Sequence, residues 1–438
     1  MIMASRRCLI AGGAAFLGLP LTSCASSLTV PGENASTIQG ARDLYVFGLP
    51  VLEMARSRDR TIGEASNVFR HARRLSDAST RRVTTPNNDT LYSAAWIDMR
   101  KGPVEIAVPA TGVRYFSLAL MDMYSNNFHI AGTRSTEGKA HKIRLVPPDS
   151  DPEADEVRAP TWWVFALGRT LVLDADDLPS AQAVQAQLSV LGAPGPAPLA
   201  VNTGNGSAQE LLGAMRSLLG TEAPPNARDA AILDSIARGG LQEATFSGVD
   251  PDDLERGIKQ ARSEIDSQPA LTRAIKGWNY PDPSLGDFGT NYLYRASIAI
   301  WGLAALPPVE AMYMRAINAD GQRVFDGQKP HALRFPAGAQ PPVSAFWSLS
   351  MYEALPDGQL FFTANSLNRF AIGDRTEGLT YNSDGSLEIW IGHADPGPER
   401  RANWLPAPSG AFALILRTYL PQAPLLTGAY RLPPVEAL

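Results

Sequence analysis

The chain has 438 residues, of which 45% are hydrophobic and 19% charged, with 39 Lys and Arg against 44 Asp and Glu. This composition is too apolar and varied for a disordered chain, and a formal charge of −5 argues against a dedicated nucleic-acid binder. At roughly 100–200 residues per domain, the length allows two or three packed units.

At the N-terminus, Arg6 and Arg7 precede an apolar run from Cys8 to Leu21. A charged stretch followed by a short apolar one is the pattern of a secretory leader, and the run falls short of the about 20 residues a spanning helix needs. Ser5-Arg6-Arg7-Cys8-Leu9-Ile10 has the form of a twin-arginine export signal, with ordinary secretion as the alternative. Leu21-Thr22-Ser23-Cys24 resembles a lipobox. The expectation is a signal peptide over residues 1–23, a lipid anchor on Cys24, and a periplasmic, membrane-anchored protein of the bacterial envelope. The two cysteines are Cys8 and Cys24, so an acylated mature chain holds no disulfide. Removal of Arg6 and Arg7 takes the formal charge from −5 to −7, which attracts neither nucleic acid nor an anionic lipid surface.

Residues 24–40 read as a small, polar tether. Residues 41–75 follow a helical pattern, with Leu44, Phe47, Val51 and Leu52 at three-to-four spacing, and Asn67 to Leu75 after a polar break. The period then becomes two over Thr90–Asp98, Val104–Val108, Arg114–Met123, Lys142–Val146 and Thr161–Leu173, as in an antiparallel sandwich. From Ser180 to Leu306 it returns to helix. Ser207 with Glu210 forms a capping box, and Asp250-Pro251-Asp252-Asp253 opens another helix. After Pro307-Pro308 come strands at Ala311–Ile317, Ala332–Phe335, Ala345–Glu353, Leu360–Phe362, Ser386–Ile391 and Ala411–Tyr419, with Asp-Gly turns between them. The units expected are 41–178, helix plus sandwich; 179–308, helical; and 309–438, β.

Nucleophile-elbow, P-loop and zinc-protease motifs do not occur. The histidines His71, His129, His141, His331 and His393 include no pair at ligand spacing, so neither a metal nor a cofactor is indicated.

Three places rise above background. Asn87-Asn88-Asp89, directly before a strand and followed by Tyr92, can orient a polar ligand or supply a general base in Asp89, and can equally form a plain Asx turn. On the strand from Arg114 to Asp122, the two charges bracket an apolar stripe about 26 Å long, so each needs its own partner. Asp122 and His129 lie where that strand empties into a loop, a plausible site rim, although a buried aspartate clamp fits as well. Trp347, Tyr352 and Trp404 stand beside amide side chains, a mixture that suits sugar rings and also suits sandwich cores.

Two sets of motifs carry a family resemblance. Pro86-Asn87-Asn88-Asp89-Thr90-Leu91-Tyr92-Ser93, Arg114-Tyr115, Met121-Asp122 and Gly132-Thr133-Arg134-Ser135 resemble the domain-of-unknown-function family 1254. Phe346-Trp347-Ser348-Leu349-Ser350-Met351-Tyr352, Asn368-Arg369-Phe370, Asn403-Trp404-Leu405-Pro406 and Arg417-x-Tyr419-x-Pro421 resemble family 1214, which usually follows it. The resemblance implies a mainly β chain with a helical middle region, an N-terminal immunoglobulin-like sandwich and a C-terminal jelly-roll-like sandwich. It supplies no catalytic set, so residue roles rest on chemistry. The functions expected are a hydrolase or lyase acting on a carbohydrate-like or ester substrate, with Asp89 as acid or base and Arg114 stabilising charge, or a non-catalytic lipoprotein binding a small molecule or glycan. Asn87, Asn88, Tyr92, Asp122, His129, Trp347, Tyr352 and Trp404 are the candidate ligand contacts. A purely structural role for the same motifs is a third possibility.

Overall fold

The computed structural model describes residues 34–81, 83–192, 194–198, 200–201, 206–267 and 272–438. The leader, Cys24 and most of the expected tether lie outside the described residues.

Helix α1 (Ala35–Thr61) starts at Asn34, whose side chain accepts a hydrogen bond from the Thr37 amide. It contains Gly40, Gly48 and Pro50, poor helix formers, but is buried on most of its surface. Tertiary packing rather than propensity therefore holds it. Around it pack α2 (Ala208–Thr221), α3 (Ala230–Arg238), α4 (Pro251–Asp266) and α5 (Tyr292–Trp301). The Ser207–Glu210 capping box and the Asp250 cap form as the sequence predicts. In α4, a Cβ on Gly257 would lie 2.6 Å from the Ala41 Cβ and 2.6 Å from the Ile38 carbonyl, so the glycine sets how closely α4 approaches α1. Fully buried Arg58 of α1 donates to Glu222 at 2.6 Å and lies 4.7 Å over the Trp163 ring, joining the helices to the first sandwich.

The helix expected to resume at Asn67 does not form. Asn67 adopts a left-handed φ of 60°, and Arg70–His71 instead pairs as an edge strand with Ser93 and Ala94, with His71 Nδ1 2.8 Å from Ser93 Oγ.

Three strands, β1 (Thr90–Asp98), β2 (Phe116–Met121) and β3 (Trp163–Leu171), form the middle of a five-stranded sheet in the order Arg70–His71, β1, β3, β2, Asn127–Gly132. A four-stranded sheet carrying Val104–Val108 and His141–Val146 covers one face of it. Between the two sheets lie Ile97, Ile106, Phe116, Leu118, Leu120 and Ile143. The alternate residues, Trp96, Ala119, Met121 and Phe165, belong to a second core shared with α1 and the C-terminal half. Cover on both faces explains why all six residues of β2 are buried.

The C-terminal half is a second sandwich. Strands β4 (Ala311–Ala316), β5 (Val343–Ala354) and β6 (Ala411–Pro421) run side by side in the order β4, β6, β5 at the centre of an eight-stranded sheet. Trp347, Leu349, Leu414 and Leu416 point from it towards Leu333 and Ile389 of a four-stranded sheet. Positions of the other parity, including Tyr313, Phe346 and Tyr419, turn towards the N-terminal sheet. The chain is thus mainly β, two sandwiches and a helical bundle built around α1. No described helix is long and apolar enough to cross a membrane.

Candidate functional site

Asn87, Asn88 and Asp89 fall at the seam between the two sandwiches. The Asn87 side-chain oxygen accepts from the Asp89 amide at 2.6 Å, an Asx turn, while its Nδ2 donates to the Tyr419 hydroxyl of β6, also at 2.6 Å. The turn aims Asp89 into the C-terminal half. There its Oδ2 accepts from Ser348 Oγ of β5 at 2.6 Å, and its Oδ1 meets Arg375 Nη2 at 2.9 Å. Arg375 also donates to the Val172 carbonyl at 2.9 Å and stacks 4.3 Å from the Phe346 ring. The Tyr352 hydroxyl donates to the Pro86 carbonyl at 2.7 Å. Arg417 donates to Ser350 Oγ at 2.7 Å and to the carbonyl of Thr85 at 3.0 Å, the latter residue held at φ 53°. Residues 85–89 are therefore fastened to β5 and β6 by hydrogen bonds from several side chains.

Beside this seam opens a cleft of about 450 Å³. Asn88, Asp89, Ser348 and Arg375 line it on the seam side, Asp174, Thr376 and Glu377 add polar groups, and Leu75 and Leu178 contribute apolar surface. Next to Arg375, the Asp374 carboxyl accepts from the Trp347 amide at 3.2 Å. Crowding desolvates this carboxyl and pushes it up to about 6, although part of the residue is open to solvent.

The other expected contacts are placed elsewhere. Arg114 makes a bidentate ion pair with Asp177 at 2.5 and 2.6 Å and donates to the Leu171 carbonyl, so its charge is already matched. Asp122 accepts from the amides of Tyr124 and Asn126, both at 2.9 Å, and from the Asn126 side chain, the clamp of its own loop. His129 sits half-buried on Asn127–Gly132, its ring pushed towards the neutral form by desolvation. Trp347 takes the opposite parity from Ser348 and packs against Phe335 in the C-terminal core. Trp404 is buried at a sheet edge with its indole donating to the Gly392 carbonyl. Neither tryptophan lines the cleft, so no indole face is offered to a sugar there. Tyr92 lies opposite Arg169 on the inward face of the N-terminal sheet. Among the described residues no cluster of three or more His, Cys, Asp or Glu side chains could hold a metal ion.

Arg375, Ser348 and Arg417 were not singled out by sequence reasoning. For Ser348 and Arg417 the signal was there, since both fall on inward parity of strongly patterned strands that carry recognisable motifs. Arg375 sits in a loop with no local pattern, and nothing in the sequence pairs it with Asp89, 286 positions away.

Two family models match the chain. Residues 66–191 fit the one described as protein of unknown function (DUF1254), and residues 310–423 the one described as protein of unknown function (DUF1214). This is a DUF1254–DUF1214 protein. Asp89 belongs to the DUF1254 part and Arg375 to the DUF1214 part, so the seam is the contact between the two. The fold is similar to that of the VPA0106 protein from Vibrio parahaemolyticus, with 23% identity and a TM-score of 0.70 over 92% of this chain and 100% of that one. An uncharacterized protein from Burkholderia cenocepacia aligns with 13% identity and a TM-score of 0.44, over 92% of this chain and 93% of that one. No curated protein matches the sequence significantly.

Proposed function

We propose that this DUF1254–DUF1214 protein is a lipoprotein of the bacterial envelope that binds a small, polar, hydroxyl-bearing molecule in the cleft between its two parts without transforming it. The envelope location rests on the leader pattern before Cys24. The binding reading rests on one observation above all: both oxygens of Asp89 are already engaged, one by Ser348 and one by Arg375. Both bonds hold the carboxylate to protein donors, a charge-assisted arrangement that fixes it as part of the cleft wall. The same pair presents a fixed dipole at the cleft wall, and the Asn88 amide beside it adds further donors and acceptors for hydroxyl groups.

The test is to incubate the purified protein with chromogenic glycosides and esters while measuring, by calorimetry, binding of the corresponding sugars and polyols. The reading predicts saturable binding of at least one polyol, no turnover, and weaker binding in Asp89→Asn. Turnover that disappears in Asp89→Asn, with the fold intact by circular dichroism, would replace it with the hydrolase reading. Failure of every polyol to bind would remove the cleft from consideration.

A further inference from the structure

A second polar constellation lies inside the molecule, between the inward faces of the two large sheets. On the N-terminal side Arg169 of β3 stands in register with Tyr92 of β1 and Ser117 of β2, and Tyr115 adds its hydroxyl next to Ser117. On the C-terminal side Tyr313 of β4 stands in register with Arg417 of β6, with Tyr419 two residues on. These side chains share one neighbourhood. Arg169 lies 5.5 Å over the Tyr92 ring, the rings of Tyr115 and Tyr419 are 5.1 Å apart, and Tyr313 interacts electrostatically with both Arg169 and Arg417.

The charges here do not balance. Asp89 is paired with Arg375, and Glu310, which accepts from the Tyr115 hydroxyl at 3.0 Å, is paired with Arg134 at 2.8 Å. Arg169 and Arg417, each 4% exposed, have no carboxylate within 4.0 Å among the described residues. Arg417 is at least satisfied by neutral oxygens. Arg169 makes one bond, from Nη2 to the Ala304 carbonyl at 3.2 Å, and its buried Nε and Nη1 have no partner. A buried guanidinium with unmatched donors is costly unless those donors find acceptors.

Further donors adjoin it. Tyr92 and Tyr313 face inward yet remain half-buried, as do Ala94, Leu167 and Ala345, so the packing of the sheets does not close completely over these side chains. Neither the Tyr92 nor the Tyr313 hydroxyl has a hydrogen-bond partner among the described residues. The Tyr419 hydroxyl accepts from Asn87, which leaves its own proton to donate. Burial pushes the hydroxyls of Tyr115, Tyr313 and Tyr419 upward, so they remain neutral donors.

The geometry points to an internal binding site for a small carboxylate with an apolar body, its carboxylate held by Arg169 and the Tyr92 and Tyr313 hydroxyls. Arg417 spends its donors on Ser350 and Thr85, so a ligand meets one open guanidinium and neutral phenols, a set that suits a carboxylate, whereas a phosphate dianion would bring a second charge among Ala94, Leu167 and Ala345. The site uses different residues from the Asp89–Arg375 cleft, so either can fail without the other.

The test titrates the purified protein with benzoate, acetate and inorganic phosphate by calorimetry, and repeats the titrations with Tyr313→Phe and Tyr92→Phe. These substitutions remove a hydroxyl while keeping the ring, so they spare the fold where Arg169→Met would endanger it. The expected result is saturable benzoate binding, weaker acetate binding, little phosphate binding, and a loss of at least about tenfold in benzoate affinity in each variant, the effect of one hydrogen bond to a charged group. Absence of benzoate binding, unchanged affinity in both variants, or a preference for phosphate would each overturn the proposal.

Discussion

Asp89 and Arg375 lie 286 positions apart in sequence and meet at 2.9 Å across the seam between the DUF1254 and DUF1214 parts. The Asp89 side chain is 5% exposed and that of Arg375 23%, so this is a largely desolvated pair whose members come from different parts of the chain.

Breaking it should loosen the seam. Asp89→Asn leaves the Arg375 guanidinium without its counter-charge, and a cost of about 1–3 kcal/mol is expected. Urea denaturation followed by tryptophan fluorescence measures it. In a double-mutant cycle with Arg375→Gln the two losses should be clearly non-additive. Additive losses would mean that the pair is not coupled.

A second buried pair anchors the helical bundle. Arg58 is fully buried and donates to Glu222. Arg58→Met strands the Glu222 carboxylate and should destabilise the protein by about 3–5 kcal/mol, whereas Arg58→Met combined with Glu222→Leu should cost less, because the carboxylate bonded most closely to Arg58 is gone and only Asp59 keeps an unmatched charge. Equal losses in the single and double variants would contradict this reading.

Gly257→Ala tests the close approach of α4 to α1. The added methyl would meet the Ala41 side chain and the Ile38 carbonyl at 2.6 Å. Overpacking of this kind costs about 1–3 kcal/mol and outweighs the higher helix propensity of alanine. Thermal melts should therefore move down, and an upward shift would show that the helices have room to part.

Acid and neutral pH should act on stability through different carboxylates. Hydrogen bonds from Arg114 hold Asp177 below the usual carboxylate range. Its contribution is complete above the unfolded value of about 4 and is lost as pH falls through the lower folded value. Asp374, raised to about 6 by desolvation, works in the opposite sense. Its contribution is complete below about 4 and is lost as pH rises through about 6. Urea midpoints measured from pH 2 to pH 8 should show a shallower acid loss in Arg114→Gln and no decline between pH 4 and pH 6 from this group in Asp374→Asn.

Much of the fold could be read from sequence because strand parity is a strong signal when one face is always buried. Thr90–Asp98 and Val104–Val108 have the bounds that their period-two pattern predicts, and Ser207 with Glu210 caps its helix as expected. Asn67 misled the reading, since a helical spacing of apolar residues says nothing about a left-handed φ. At the candidate site, Asn87 and Asp89 were legible as polar groups ahead of a strand. Their partners were not, because Tyr419, Ser348 and Arg375 reach them through tertiary packing. Parity also explains the tryptophan that misled: Trp347 and Ser348 are adjacent, so they face opposite sides of the sheet, and the large apolar ring takes the core.

The cleft itself is tested most directly by titrating sugars and polyols into the protein and into Arg375→Gln, with ligand-observed NMR saturation transfer as the readout and circular dichroism to confirm the fold. Saturable transfer from at least one polyol in the natural protein, lost or weakened at least about tenfold in Arg375→Gln, is the predicted result. Equal transfer in both proteins, or none in either, would contradict it.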